Sequence, residues 1–279
     1  MAWGRGRGMP AVRLAAHPQA RLRIARGRGL IVLAEWLVVL TLWQLVVTYW
    51  RLVNPVFLPA PLTILRSVAA MLTESTWWLN FRFSAANWLT GYLLAVGLGV
   101  TTGLVVGTFF PAYRLIMPLA WSLYATPHVA IRPMTVVWFG FGAAPIIFLI
   151  FLGAIFPIML NTAAGVRTVE PSALRAARVF GANRLGEYLK VILPSTLPHI
   201  AAGMRLAIPT SLIGMLVGEL VGSPLGLGAL IALASSTFKT DRALAVVTVL
   251  VVISVSLVRG ADRLQRRLAP WYFNEVRGY

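Results

Sequence analysis

The side chains that could do chemistry in this chain are few and far apart. Cysteine is absent, which excludes disulfides, thiolate metal ligands and cysteine nucleophiles. The three histidines, His17, His128 and His199, are not spaced with one another or with a carboxylate as a metal site requires, so each is expected to be an ordinary packed or solvated ring. Eight acidic residues are scattered singly, without the clustered carboxylates that a membrane enzyme would need near the interface. Lys190 and Lys239 are the only lysines, and neither follows a glycine-rich phosphate loop, so the chain is not expected to bind ATP itself. Two features remain. Glu35, Arg132 and Glu219 lie inside apolar sequence, where burying a charge is costly enough that function is the default reading. A long polar loop, residues 166–200, interrupts two apolar runs.

The elements that must position these residues follow from composition. Hydrophobic residues make up 58% of the chain and charged ones 12%, more apolar than a soluble surface tolerates. The net charge of +17 comes from cations distributed between hydrophobic segments rather than gathered on one soluble face, which argues against nucleic acid and for membrane orientation. About 20 apolar residues cross a hydrocarbon core. On that basis the chain is expected to be an all-α polytopic membrane protein with six spans, near 29–49, 84–109, 115–139, 144–165, 201–221 and 242–260. Residues 1–28, rich in Arg and Gly and without acidic residues, are expected to be a disordered basic tail, with 29–279 forming the transmembrane domain. A secretory signal is the competing reading, but the run from Gly29 to Tyr49 is too long for one and lacks a cleavage site.

Between the spans, Pro61 to Thr73 is expected to lie in the interface as an amphipathic helix, with Leu62, Leu65, Val68, Ala69 and Leu72 on its apolar face. Gly91, Gly97, Gly99, Gly103 and Gly107 should permit close helix contact. Trp36, Trp43, Trp50, Trp77, Trp78 and Trp88 read as interfacial anchors, and Asp241 as the cap of the last helix. Arginine and lysine concentrate in the tail, the 166–200 loop and the C-terminal end. The positive-inside rule therefore places both termini and the loop in the cytoplasm. Pro127 and Pro133 should interrupt the helix around Arg132 and expose it to a cavity, with Glu219 as its expected partner and both as candidates for a translocation path.

Within the loop, Pro171 suits a first helical position, Gly181 a left-handed stop, Asn183 a cap for a second helix, and Pro194 its end. The expected product is a helix-turn-helix elbow with Ala176 and Ala177 as a small-residue face that could seat in a groove of another protein. The run Ala176-Ala177, three residues, Gly181, nine residues, Val191-x-Leu193-Pro194 is similar to the Glu-Ala-Ala-x3-Gly-x9-Ile-x-Leu-Pro pattern of binding-protein-dependent ABC importer permeases. Arg175 stands where that family usually has Glu, and Val191 where it usually has Ile. Leu58-Pro-Ala-Pro61, Val137-Trp-Phe-Gly140-Phe-Gly142, Gly218-Glu219-Leu220, Gly226-Leu-Gly228, Thr240-Asp241 and Leu264-Gln-Arg-Arg-Leu-Ala-Pro270-Trp271 resemble the nitrate/taurine/alkanesulfonate branch, its taurine-type members most.

That resemblance implies a bacterial inner-membrane permease without cofactors of its own. Its partners would be ABC ATPase subunits that hold ATP and Mg, an extracytoplasmic solute-binding protein and a second permease copy. Arg175, Ala176, Ala177, Gly181, Val191, Leu193 and Pro194 would dock on the ATPase. The solute implied is small and anionic, such as nitrate, taurine or another sulfonate. Relatives also carry bicarbonate, vitamin precursors and aromatic solutes. A secondary transporter is the rival mechanism, but it would need midplane carboxylates and internal repeats, and neither is evident.

Overall fold

The computed structural model describes residues 18–270, with the side chains of residues 18–30, 33 and 268 outside the description; the expected tail therefore lies largely outside it. Residues up to Leu62 form one unit and those from Thr63 a second. In the first unit, α1 (Pro18–Thr48) begins within the stretch 1–28. In the second, α3 (Ser75–Thr108), α6 (Ala143–Arg167), α9 (Leu193–Leu220) and α11 (Thr240–Leu268) are the long helices, and α2 (Pro61–Thr73) precedes them.

The expectation of six spans is corrected to four. Among the described residues only Ser75–Thr108, Ala143–Arg167, Arg184–Leu220 and Thr240–Arg267 are long and apolar enough to cross a membrane. The apolar part of α1, Ala34–Thr48, is too short. The span expected at 115–139 is broken into α4 (Phe110–Ala125), a 3-10 turn (His128–Ile131) and α5 (Arg132–Phe139). The break falls where Pro127 and Pro133 were expected to interrupt the helix: each lacks an N–H and restricts the residue before it.

The bundle is organised around α6, whose Ile146, Leu149, Ile150, Ala154 and Ile158 are fully buried. A methyl group added to Gly103 of α3 would lie 2.6 Å from Thr162 Cβ and 2.8 Å from the Met159 carbonyl, so these two backbones meet only because that side chain is missing. Gly91 faces Ile147 and Ile150 while Gly107 faces Ala163 and Val166, so α3 and α6 run parallel. By the same criterion α9 is antiparallel to α6, with Gly214 against Leu149 and Gly203 against Pro157 and Ile158. Parallel neighbours require the broken α4–α5 segment to carry the chain back along the bundle. Gly97 faces open space and takes no part.

Helix α2 forms over the expected residues, burying Ile64 and Met71 and leaving Leu62, Leu65 and Leu72 exposed. Two further expectations are corrected. Trp77 is 2% exposed, a core residue rather than an interfacial anchor. Asp241 sits one residue inside α11 and caps nothing; its carboxylate accepts a 2.5 Å hydrogen bond from Ser67 Oγ and ties α11 to α2.

Candidate functional site

Two assemblies occupy opposite ends of α6. At its C-terminal end the loop folds as α7 (Pro171–Val179), a turn at Gly181, and α8 (Arg184–Glu187). Gly181 has φ +79°, the left-handed conformation that a Cβ disfavours, and the Gly181 and Ala182 amides donate back to the Arg178 and Ala177 carbonyls at 2.9 Å each. Asn183 caps α8, its Oδ1 accepting from the Gly186 amide at 2.7 Å. Arg178 grips Glu187 with a two-pronged contact across the turn, Nε to Oε1 at 2.7 Å and Nη2 to Oε2 at 3.2 Å. This hydrogen bond holds the Arg178 guanidinium above its ordinary range. Spacing could have suggested the clamp, since Arg178 and Glu187 flank the glycine.

Pro194 was expected to end the second helix and does not. The chain continues through a π turn (Tyr188–Ile192) into α9, and Leu193 donates to the Tyr188 carbonyl five residues back. A proline ring clashes with the carbonyl four residues before it, and the wider turn immediately ahead of Pro194 accommodates that register. The second helix of the elbow and the span are thus one helical run.

On the elbow, Arg175 and Ala176 are exposed, and Ala177, Val191, Leu193 and Pro194 are half-buried. Sequence reasoning missed the apolar tip: Val179 and Phe180 are 84% and 88% exposed, with Leu185 and Leu189 also exposed. Placing apolar groups at the head of a polar loop leaves them to water unless a partner covers them.

At the opposite end, the turn after α9 leads into α10 (Leu227–Ser236). The first amides of α10 have no helical acceptors, and three polar side chains receive them. Asn80 Oδ1 accepts from the Gly226 amide at 2.7 Å, Ser84 Oγ from the Leu227 amide at 2.8 Å, and Glu219 Oε2 from the Gly228 amide at 3.0 Å. Ser84 Oγ in turn donates to Glu219 Oε2 at 2.9 Å. Glu219 is fully buried, and its other oxygen has no partner. The carboxylate sits at the positive end of α10, where the helix dipole favours it. Gly226 has φ +117°, and a Cβ there would overlap the Glu219 carboxyl carbon.

Arg132 is 4% exposed and does not pair with Glu219. Its Nη2 donates to the Val221 carbonyl at 2.6 Å, just beyond the end of α9, and Nη1 reaches Thr135 Oγ1 at 3.5 Å, while Nε has no partner. The expected ion pair is therefore replaced by two charge-to-helix-end contacts, a cation at the C-terminus of α9 and an anion at the N-terminus of α10. Nothing in the sequence marks backbone groups as the partners. Among the described residues no group of three or more His, Cys, Asp or Glu could hold a metal.

Comparison with known proteins agrees with this architecture. Residues 95–273 match the family described as "Binding-protein-dependent transport system inner membrane component". The chain is 32% identical over 219 residues to the putative aliphatic sulfonates transport permease protein of Bacillus subtilis, covering 78% of this chain and 79% of that one. It is 33% identical over 226 residues to the taurine transport system permease protein of Escherichia coli, covering 79% and 82%. Among solved structures, inward-facing conformations of the MetNI methionine ABC transporter superpose with TM-score 0.53 at 19% identity, over 76% of this chain and 98% of that one, a likeness of fold. The chain belongs to the binding-protein-dependent transport system inner membrane components: it is the permease subunit of an ABC importer, and ATP hydrolysis is the work of a separate subunit.

Proposed function

We propose that this permease conducts a small anion of the nitrate, taurine or alkanesulfonate kind across the bacterial inner membrane. The sulfonate and taurine permeases among its relatives support that solute class. In this reading the loop 166–200 docks on an ABC ATPase through Arg175, Ala176, Ala177, Gly181, Val191, Leu193 and Pro194, with Val179 and Phe180 filling the contact. The observation that carries it is the exposed apolar tip on an internally braced elbow, a surface built to be covered by a partner. The arginine-rich segment 1–28, the loop and the C-terminal end face the cytoplasm, where the cations would fix orientation. A second copy completes the path and an extracytoplasmic binding protein delivers the solute. Arg132 and Glu219 shape the outer end of that path by holding the ends of α9 and α10.

The test is reconstitution of the permease with a cognate ABC ATPase and solute-binding protein, followed by ATP-dependent uptake of radiolabelled taurine, nitrate and an alkanesulfonate. Uptake of one of them, with no ATP turnover by the permease alone, is expected. Uptake only of a neutral or aromatic solute would overturn the anion assignment, and failure of the complex to form would overturn the docking surface.

A further inference from the structure

On the same side of the bundle as the elbow, where α3 gives way to α4, two arginines converge on one aromatic ring. The Arg114 and Arg167 guanidinium carbons lie 4.3 and 5.0 Å from the Phe110 centroid, and Arg167 also lies 5.2 Å from that of Tyr113. An aromatic face attracts a guanidinium but leaves its N–H edges without acceptors. The ion pairs among the described residues involve neither arginine, and both residues are exposed. Two like charges gathered on one ring without a carboxylate are an arrangement that an anion would complete, and guanidinium pairs match phosphate oxygens in geometry.

The surroundings indicate where such an anion would come from. A cavity of about 220 Å³ lies alongside, lined by Arg167 with Thr108, Val169, Leu174 of α7 and Ile192 of the π turn. Its wall therefore includes the first helix of the elbow and the π turn that follows the second. Leu115, next to Arg114, and Val105 and Phe109 at the C-terminal end of α3 are 70%, 53% and 60% exposed, apolar surface at the end of a membrane-crossing helix. A phosphate with acyl chains attached would meet both surfaces at once, whereas a free anion would use only the first.

We propose that Arg114 and Arg167 form a binding site for the phosphate of an anionic glycerophospholipid, with the headgroup entering the cavity under the elbow and the acyl chains lying along α3 and α4. Basic pockets between helices at the membrane surface are suited to such headgroups. Because the cavity wall includes α7 and the π turn, a bound headgroup props the elbow from below. Lipid binding itself needs only this chain; its effect on ATP turnover rests on the docking proposed above.

The experiment is native mass spectrometry of the full-length permease released from nanodiscs of equimolar phosphatidylglycerol and phosphatidylcholine. Wild type is expected to retain phosphatidylglycerol preferentially. The R114Q/R167Q variant should lose that preference by roughly fivefold per arginine, about twenty-fivefold together. R114K/R167K, which keeps the charge but not the planar fork, should recover part of it, and R259Q/R263Q, which removes two exposed arginines of α11, should retain all of it. Absence of a preference in wild type, unchanged retention in R114Q/R167Q, or equal loss in R259Q/R263Q would overturn the site. Displacement of the lipid by inorganic phosphate would assign the arginines to a soluble anion instead. If R114Q/R167Q does not insert, the lysine variant and phosphate competition on wild type decide the matter. In complex with the ATPase, phosphatidylglycerol should raise ATP turnover for wild type and not for R114Q/R167Q. A complex that does not assemble counts against the docking surface and leaves the lipid result intact.

Discussion

Replacing Glu219 separates the two things its carboxylate does, accepting hydrogen bonds and carrying charge. In Glu219→Ala the Gly228 amide loses its only side-chain acceptor and the Ser84 hydroxyl loses the group it donates to, both at fully buried positions. Leaving a buried donor unsatisfied costs about 1–3 kcal/mol, so two cost about 2–6 kcal/mol before the emptied volume is counted. Against a total stability of about 5–15 kcal/mol, that is enough to reduce folded permease many-fold. Glu219→Gln keeps an oxygen where Oε2 stands and places its amide nitrogen at the site of Oε1, which has no donor to clash with. Its cost is then limited to one unsatisfied amide group, about 1–3 kcal/mol, and is offset by no longer burying a charge. The assay is thermal unfolding of detergent-solubilised permease followed by size-exclusion fluorescence, with uptake measured on the same preparations. Glutamine should fall within reach of wild type and alanine well below it. Equal damage from both would mean that the charge, not the hydrogen bonding, holds α10, and an undamaged alanine variant would refute the reasoning.

Three other perturbations follow. Gly226→Ala combines a positive φ with overlap onto the Glu219 carboxyl group and should cost about 2–4 kcal/mol, while Gly97→Ala, facing open space inside α3, should be neutral or gain up to about 1 kcal/mol; thermal midpoints of the two variants compare them directly. Ala177→Glu and Gly181→Val should abolish uptake with insertion and abundance unchanged, the valine because φ +79° is strained for a β-branched residue; normal transport by both with the ATPase attached would mean the loop is only a tether. Exchanging the clamp charges, Arg178→Glu with Glu187→Arg, should restore ATP-coupled uptake lost in either single variant, and no rescue in the double would show that the residues act separately.

The elements that the sequence makes legible are those decided locally. Gly181 and Asn183 act on their immediate neighbours, so the turn and cap could be read from residue type, and the glycine stripe of α3 announced a close helix neighbour. Features set by distant partners were not legible. Arg132 and Glu219 looked like a pair because opposite buried charges usually seek each other, yet each is held instead by a backbone group at a helix end, a carbonyl and an amide, together with a hydroxyl, partners that residue type does not announce. Asp241 looked like a cap until Ser67, far away in sequence, claimed its oxygen. The span count failed for a related reason: hydropathy does not register that Pro127 and Pro133 cut a continuous apolar run into pieces too short to count. Pro194 failed the other way, since the π turn before it let the helix proceed.

That continuity gives the elbow mechanical reach. From Arg184 to Leu220 the helical run is 37 residues, about 55 Å at 1.5 Å per residue, so its two ends lie on opposite sides of the bundle. A flexible linker between elbow and span would absorb a push as slack; a helix transmits it as rotation or translation of a rod. The π turn with Pro194, and Pro198 and Pro209 beyond it, each weaken the backbone hydrogen-bond ladder along the way, so bending concentrates at those points. At the far end, Glu219 and the Val221 carbonyl are where α10 and Arg132 are fastened. Whatever turns the elbow on one face of the membrane turns, through a single lever, the attachment point of the turn on the other.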